Sequence, residues 1–418
     1  MAQATSAPAQ LSASDSARMM DRWSRRDWLR GTGAMVAGLG LAGCERLRNI
    51  HTKAVGLRGT LNILVWDGYF PKELFKQFES ESGYRVNYQT FESNEDLRSI
   101  LQAGAVKADL VMPSAFAAKA LATEELIKPF SVEKFVGFES SNPYIVPYIW
   151  GSTGIGYDCD RVVGLPKSWG ALFSLQPAPR IPDALRDFRP IEKVAMLDDA
   201  RFTLGSALIY LGYDPNSLNE KEIDAAARVL SDARDRIRYD SADVPENLRT
   251  GAYGMAMAWT GDVTKALSGY PASAPTVLNP QPKMLPGNKA LRIALPREGS
   301  IVFMDSFALP TSCEEIDAAH AFVSFFMRPH IAAAVTNYSF YATTVDGATP
   351  YIDRYLINGP SFFIHPSGKN FNLKDVGEMD DYYRGVWSQL TGKPGPVAEP
   401  PQSPPIPELE IEDVDLTT

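Results

Sequence analysis

The sequence predicts an α/β fold of two lobes, each a mostly parallel sheet covered by helices, with hinge strands between the lobes. Apolar strand patterns alternate with amphipathic helix patterns over residues 61–112, and the same alternation returns over residues 194–262. Strands separated by helices of this length pair in parallel, so each stretch predicts its own α/β unit. Residues 148–156, which are rich in glycine, and residues 301–309 are extended, as expected of strands that cross between lobes.

The first predicted unit opens on a short apolar strand at residues 61–65. Pro71 predicts the start of a helix, because proline is tolerated in the first helical turn. Gly83 predicts the end of that helix, and the alternating residues 86–90 predict the second strand.

The next helix is predicted by Ser93 and Asp96, which have the spacing of a capping box, and a third strand follows at residues 109–112. The second unit repeats this order. Its strands are predicted at residues 194–197 and 254–259, and each leads into a helix pattern.

Residues 1–43 predict an export signal. The pair Arg25 and Arg26 resembles a twin-arginine signal, and the uncharged stretch 31–43 ends at Cys44 in the order Leu-Ala-Gly-Cys. That order resembles the lipobox of bacterial lipoproteins, in which the cysteine is acylated after cleavage. Because the apolar stretch is too short to cross a bilayer of ~30 Å, we expect a lipid anchor on Cys44 rather than a transmembrane helix.

The domain limits follow from these patterns. We expect a linker at residues 44–58 and a disordered, proline-rich acidic tail at residues 392–418, because such a segment buries too little apolar surface to fold. The N-terminal lobe is predicted at residues 59–153 plus 302–347. The C-terminal lobe is predicted at residues 154–301 plus 348–391.

The composition excludes several functions. The net charge is −9, and removal of residues 1–43 takes away five arginines and three aspartates, which makes it more negative. An acidic surface disfavours nucleic acid and favours cationic ligands. The four histidines show no metal-ligand spacing, so we expect no metal and no cofactor. Cys159 and Cys313 are expected to be buried, unpaired side chains, and the protein is expected to be a monomer.

Most candidate site residues follow the predicted strands, because ligands of open α/β sheets bind beyond the carboxyl ends of the strands, whereas Phe303 and Asp305 lie within the predicted crossing strand 301–309. These residues are aromatic rings, carboxylates and a hydroxyl. The set comprises Trp66, Asp67, Tyr69, Ser114, Phe116, Asp199, Trp259, Asp262, Phe303 and Asp305. Two alternatives remain open: Asp199 and Asp262 also suit helix N-caps, and the large rings also suit the core.

Carboxylates among aromatic rings suit a cationic amine. A buried ammonium loses several kcal/mol of hydration and needs a carboxylate partner. Charge-assisted hydrogen bonds return ~1.5 to 3 kcal/mol each, and ring faces add ~0.5 to 2 kcal/mol. Asp305 is the most informative residue, because a carboxylate inside the apolar stretch 301–309 is costly unless it has a purpose.

From residue 61 to about residue 386 the chain resembles the spermidine/putrescine-binding proteins of bacterial ABC importers. The resemblance implies a type II periplasmic binding protein that closes its two lobes on a ligand. Seven segments carry it, namely residues 65–69, 91–95, 109–114, 147–151, 197–201, 258–262 and 303–306.

The resemblance also implies roles for single residues. It places an aromatic box on Trp66, Tyr69, Phe116, Trp259, Phe303 and Tyr341, amine-binding carboxylates on Asp199, Asp262 and Asp305, and hydroxyl contacts on Ser114 and Ser241. Phe202 stands where spermidine binders have a glutamate, and Leu373 where they have a glutamine. Residues 177–190 and 271–285 are additional to the family's pattern.

The sequence therefore predicts a periplasmic, lipid-anchored protein that captures a polyamine such as putrescine or spermidine and delivers it to the membrane permease of an ABC importer. Another cationic or zwitterionic small molecule is the alternative cargo. An envelope enzyme is the third hypothesis, which is disfavoured because the sequence has no nucleophile elbow, no metal signature and no supported Ser-His-Asp arrangement.

Overall fold

The computed structural model describes residues 58–104, 106–131, 142–173, 193–271, 283–359 and 369–392. All of them belong to one compact unit, Gly56–Thr418. The predicted signal with Cys44, most of the linker, the proline-rich tail after residue 392 and the additional residues 177–190 lie outside the described residues.

Strands and helices alternate along the chain. The strands are β1 (Gly59–Trp66), β2 (Tyr84–Phe91), β3 (Leu110–Val111), β4 (Ile127–Lys128), β5 (Ile145–Asp158), β6 (Val194–Met196), β7 (Ile237–Tyr239), β8 (Met255–Trp259), β9 (Gly269–Pro271), β10 (Met284–Pro286), β11 (Leu291–Ala294), β12 (Ser300–Pro310), β13 (Ala342–Thr343) and β14 (Asn370–Asn372). The helices are α1 (Lys72–Ser82), α2 (Asn94–Ala103), α3 (Ala118–Thr123), α4 (Gly170–Phe173), α5 (Ala200–Leu211), α6 (Glu220–Asp232), α7 (Val244–Thr250), α8 (Thr260–Ser268), α9 (Ile316–Phe326), α10 (Pro329–Ser339), α11 (Arg354–Ile357) and α12 (Met379–Thr391).

The main sheet has two parallel portions joined by an antiparallel pair. Its strand order is β2-β1-β3-β12-β5-β8-β6-β7. Strand β1 pairs in parallel with β2 and β3, and β6 pairs in parallel with β7 and β8. Strands β5 and β12 pair antiparallel with each other and lie between the two portions. This arrangement confirms the predicted α/β fold, in which a strand-helix alternation is repeated on either side of long crossing strands.

Strand β5 serves both portions of the sheet. Its first part pairs with β12, and its second part pairs with β8 and β11. The register between β5 and β12 shifts between Asp305 and Ser306. Such a bulge bends the strand and redirects a side chain. The irregularity therefore lies at the carboxylate that the sequence singled out.

The predicted helix signals are confirmed near the start of the chain. Pro71 is the N-cap of α1, and Gly83 ends that helix in the left-handed conformation with φ 80°. The Ser93 side chain accepts a hydrogen bond from the Asp96 amide at 3.0 Å, and the Asp96 carboxylate accepts one from the Glu92 amide at 3.1 Å. The first bond is the N-cap bond that the sequence predicts, and the second holds the Asp96 side chain to the residue before the N-cap.

Helices bury their apolar faces on both portions of the sheet. Helices α1 and α9 pack through aromatic rings, as where Phe78 and Phe322 lie 5.2 Å apart in an edge-on contact. Helix α12 packs on α5 and α6. Its Tyr383 hydroxyl donates to the Ser217 carbonyl at 3.0 Å, and its Trp387 lies against Tyr239 of β7. The last described helix is thereby held to the second parallel portion of the sheet.

The two cysteines among the described residues differ in exposure. Cys313 is buried as expected. Cys159 was expected to be buried but is exposed, because it lies in the turn that follows β5; both are unpaired.

The additional residues 271–285 begin and end in an antiparallel ribbon of β9 and β10. Within the described ranges, no helix is both long and apolar enough to span a bilayer.

Candidate functional site

Asp305 is held by two hydroxyl donors at the bulge of β12. Its side chain is buried. The Tyr69 hydroxyl donates to Oδ2 at 2.6 Å, and the Ser114 hydroxyl donates to Oδ1 at 2.7 Å. Burial raises the pKa of Asp305 to about 6, although both hydrogen bonds oppose the rise. Asp305 is thus an ionisable carboxylate with both oxygens engaged.

Asp262 has a matching arrangement in the first turn of α8. The Tyr341 hydroxyl donates to Asp262 Oδ1 at 2.8 Å. Burial raises the pKa of Asp262 to about 6, while the positive charge of Lys265 and the Tyr341 hydrogen bond oppose the rise. The N-cap of α8 is Trp259, so the alternative that Asp262 caps this helix is wrong.

The two tyrosines connect these carboxylates. The rings of Tyr69 and Tyr341 lie 5.4 Å apart, tilted by 58°. Burial and the nearby aspartates hold the pKa of both phenols well above their usual value, so both hydroxyls remain neutral donors. Asp305, Tyr69, Tyr341 and Asp262 therefore form one chain of contacts, named here the Tyr–Asp chain.

Phe303 lies at the centre of an aromatic cluster beside the Tyr–Asp chain. Its ring is 5.8 Å from that of Tyr341, 6.1 Å from that of Phe202 and 6.4 Å from that of Trp259, all in edge-on contacts. Phe202 also meets Trp259 edge-on at 6.0 Å. The structure thus brings together Tyr69, Trp259, Phe303 and Tyr341 of the predicted aromatic box, and adds Phe202.

Two glycines make room for these rings. A Cβ on Gly261 would lie 2.4 Å from Cε1 of Tyr341, and a Cβ on Gly151 would lie 2.8 Å from Cζ of Phe303. Neither glycine was among the predicted site residues. Both lie in segments of the family resemblance, which was the one signal that could have found them.

Asp199 lies at a second carboxylate pair. It is the N-cap of α5, where its side chain accepts from the Phe202 amide at 2.9 Å. Burial raises its pKa. Burial and the charge of Asp199 raise the pKa of Glu95 to about 7. The capping role of Asp199 is confirmed, and a ligand contact by the same residue stays a prediction.

The ring of Phe116 lies near a positively charged side chain of the protein, that of Arg201. The Arg201 guanidinium lies 5.7 Å from the centre of the Phe116 ring and 4.9 Å from that of Tyr383. A cavity of about 300 Å³ opens beside them, with Glu95 and Asp380 on its wall. Phe116 thus faces this cavity, and its described ring contact is with Arg201 rather than with the cluster around Phe303.

Three predicted residues make other contacts. Asp67 is exposed, and its charge acts on Lys72 and Tyr338. The Ser241 hydroxyl accepts from the Asp198 amide at 2.9 Å, which fixes the connection between β6 and α5.

The third is Trp66, whose ring packs 4.4 Å from that of Phe91. Its indole N–H is buried without a hydrogen-bond partner among the described residues. A buried donor of this kind can serve a ligand. Across the same residues, no group of histidine, cysteine, aspartate and glutamate has the arrangement of a metal site.

The chain belongs to the bacterial extracellular solute-binding protein family, whose pattern matches residues 73–354. It is 28% identical to the putrescine-binding periplasmic protein PotF of Escherichia coli, over 87% of this chain and 98% of that protein. It is also 28% identical to the spermidine/putrescine-binding periplasmic protein of Salmonella typhimurium, over 89% of this chain and 99% of that protein. Among solved structures, the TpPotD lipoprotein of Treponema pallidum matches with a TM-score of 0.64 and 24% identity, over 79% of this chain and 99% of that chain.

These matches confirm two predictions. The fold is that of the two-lobe type II periplasmic binding proteins. The protein is a solute-binding component and not an enzyme, as its family membership indicates. The Tyr–Asp chain agrees with that role, because its groups can bind and orient a cation.

Proposed function

We propose that this protein captures a polyamine between its two lobes and delivers it to the membrane permease of an ABC importer. The observation that carries the proposal is the Tyr–Asp chain. It presents two separate carboxylates, Asp305 and Asp262, each hydrogen-bonded by its own tyrosine. The ring of Tyr341 contacts Phe303, which in turn contacts Trp259.

A diamine satisfies the charges of such a site. With pKa values of about 6, both carboxylates are mostly ionised at neutral pH although they are largely removed from water. Unpaired charges in that setting are costly, and an ammonium partner relieves the cost. Aromatic walls add cation-π attraction and cover the methylene groups, at ~0.8 kcal/mol per buried group.

The relatives support the same cargo, because both curated proteins described above are named for putrescine. Closure would occur between residues 59–153 plus 302–347 and residues 154–301 plus 348–391, with β5 and β12 as the hinge strands. Trp66, Ser114, Phe116, Asp199 and Ser241 would complete the site once the lobes adjust around a ligand.

A thermal-shift screen tests the proposal. Putrescine, cadaverine, spermidine, agmatine and amino acids are added to the purified protein, since a ligand that binds only the folded state raises its melting temperature. We expect putrescine to give a saturable shift at micromolar concentration. A shift with amino acids alone would assign a zwitterionic cargo and overturn the proposal, as would the absence of any shift with the amines.

We also propose that the protein is exported by the twin-arginine route and anchored through acylated Cys44. The motif order at residues 25–44 supports this, and one structural relative is named as a lipoprotein. Cys44→Ser is expected to release the protein from the membrane fraction into the soluble periplasm. An unchanged membrane fraction would contradict the anchor without affecting the proposed cargo.

A further inference from the structure

Asn94 contacts Ser114, and Ser114 in turn contacts Asp305, so one side chain separates Asn94 from the carboxylate that is proposed to bind the ligand. It is the first residue of α2 and is 6% exposed. Its Oδ1 accepts a hydrogen bond from the Ser114 amide at 2.9 Å, and its Nδ2 donates to the Ser114 hydroxyl oxygen at 3.1 Å. Both polar ends of its side chain are thus used by one serine.

The first of these bonds fixes the orientation of the Asn94 amide. A backbone N–H can only donate, so the group of Asn94 that faces it must be the carbonyl oxygen. The NH₂ group of Asn94 then has to point at the Ser114 hydroxyl.

That orientation determines where the single proton of the Ser114 hydroxyl points. The hydroxyl oxygen accepts from Asn94, so its own hydrogen is free to be donated elsewhere. The carboxylate of Asp305 lies 2.7 Å away on the other side. The backbones of Ser114 and Asp305 are themselves bridged across the strands, so this geometry is fixed.

We propose that Asn94 is a positioning residue for ligand binding: by directing the Ser114 hydroxyl at Asp305, it keeps that carboxylate ionised to receive an ammonium. This inference rests on the proposed function, in which Asp305 binds an amine.

The groups around Asp305 make the hydrogen bond from the Ser114 hydroxyl important for the ionisation of that carboxylate. Burial raises the pKa of Asp305, and the two donated hydrogen bonds are what oppose the rise. The other ionisable groups nearby are Tyr69 and Tyr341, which interact directly with Asp305, and Asp262, which acts on both tyrosines. Glu95 follows Asn94 in α2. Since none of these groups is a cation, an ordered hydroxyl is an important stabiliser of the charge on Asp305.

Loss of the ordered donor should therefore raise the pKa of Asp305 and weaken binding mainly at low pH. The apparent Kd is the intrinsic Kd divided by the competent fraction. A pKa raised by about one unit leaves about a tenth of Asp305 ionised at pH 6 instead of about half. Putrescine binding would then weaken about fivefold at pH 6 and hardly at all at pH 8.

The experiment compares Asn94→Ala, Ser114→Ala and the double variant, with Asn62→Ala as the control. The Asn62 side-chain amide donates at 2.8 Å to the buried Asp109, which precedes β3, whereas Ser114 follows that strand. Putrescine affinity is measured by calorimetry between pH 5.5 and 8. The pKa of Asp305 is measured in parallel, without ligand, by NMR of ¹³C-labelled aspartate.

We expect Asn94→Ala to raise the pKa of Asp305 and to weaken binding about fivefold at pH 6 but not at pH 8. Ser114→Ala should do the same, the double variant should do no more than Ser114→Ala, and Asn62→Ala should leave both quantities unchanged. An unchanged pKa in Asn94→Ala, or equal weakening at both pH values, would overturn the proposal. If the native protein binds no amine, the proposed function fails, while the NMR titration still decides whether Asn94 acts on Asp305.

Discussion

The ring of Tyr341 lies directly against the backbone of Gly261, so that a Cβ at residue 261 would come within 2.4 Å of the ring. Because the ring lies so close, the Tyr341 hydroxyl reaches the side chain of Asp262, the residue that follows Gly261, at 2.8 Å. The absence of a side chain at Gly261, in the first turn of α8, therefore makes room for the ring of Tyr341 beside the carboxylate of the next residue.

Gly261→Ala is expected to weaken amine binding about tenfold, because it must displace Tyr341 and lengthen the bond to Asp262, which is worth about 1.5 kcal/mol or more. Calorimetry with putrescine measures the loss. Gly385→Ala is the matched control, since nothing lies within 4 Å of a Cβ at that position. It should leave affinity unchanged and stabilise α12 by up to ~1 kcal/mol. Equal affinity in both variants would show that Tyr341 can shift without consequence.

Asp305→Asn is expected to lose ~2 to 4 kcal/mol of amine binding, because it keeps the shape of the side chain and removes the charge that pairs with a desolvated ammonium. The fold should tolerate the change, since it removes a buried charge. Titration calorimetry gives the affinity, and melting of the two unliganded proteins gives the control. Intact affinity with equal melting temperatures would make Asp305 a bystander.

The contribution of Asp305 and Asp262 to the stability of the unliganded protein should fall as pH rises from about 4 to about 7. Burial raises the pKa of Asp305 and Asp262 to about 6, above the usual value of 3.8. Between these values the folded state binds more protons than the unfolded state, so the free energy of unfolding decreases with increasing pH. Each group contributes at most about 3 kcal/mol to this change.

Urea unfolding at pH 4.5 and pH 7.5 checks this prediction when the native protein is compared with the Asp262→Asn, Asp305→Asn double variant. Other carboxylates act in the opposite direction, as Glu246 does, whose pKa is lowered to about 2 by its hydrogen bond to Arg249. The difference between the two proteins isolates the contribution of Asp262 and Asp305. A double variant with the same pH slope as the native protein would refute the assignment. Amine binding should show the reverse trend and strengthen as pH rises through 6.

Much of the fold could be predicted because its signals are local. Pro71, Gly83 and Ser93 fix helix ends through contacts within a few residues, and the structure confirms all three. Asp305 could be singled out for a similar reason, since a carboxylate in an apolar strand is conspicuous in the sequence alone.

The remaining parts of the site depend on contacts that no local pattern encodes. Tyr341 reaches Asp262 across 79 positions in the chain, and Ser114 reaches Asp305 across 191. Asp67 shows the converse. It was predicted as a site residue because it directly follows a strand. It is nevertheless exposed, and Tyr69 is the residue of this turn that is buried.

The last prediction concerns selectivity and depends on Phe202, which stands where the family resemblance expects a glutamate. Phe202 is 4% exposed and meets both Trp259 and Phe303 edge-on. An ammonium placed near its ring would gain only a cation-π attraction of about 1 kcal/mol, in place of a charge-assisted pair of ~1.5 to 3 kcal/mol. A triamine has one more ammonium that needs a carboxylate partner than a diamine has, so it loses more binding free energy when phenylalanine stands in place of glutamate. Putrescine should therefore bind more tightly than spermidine.

Phe202→Glu is expected to narrow or reverse that preference, because the new carboxylate can pair with the additional ammonium of spermidine. Phe202→Gln is the control, since it has nearly the same shape as glutamate without the charge and should keep the preference for putrescine. Calorimetry on the three proteins with both amines measures the ratio of affinities. If the native protein already prefers spermidine, or if Phe202→Glu and Phe202→Gln give the same ratio, then the charge at this position does not determine the length of the ligand.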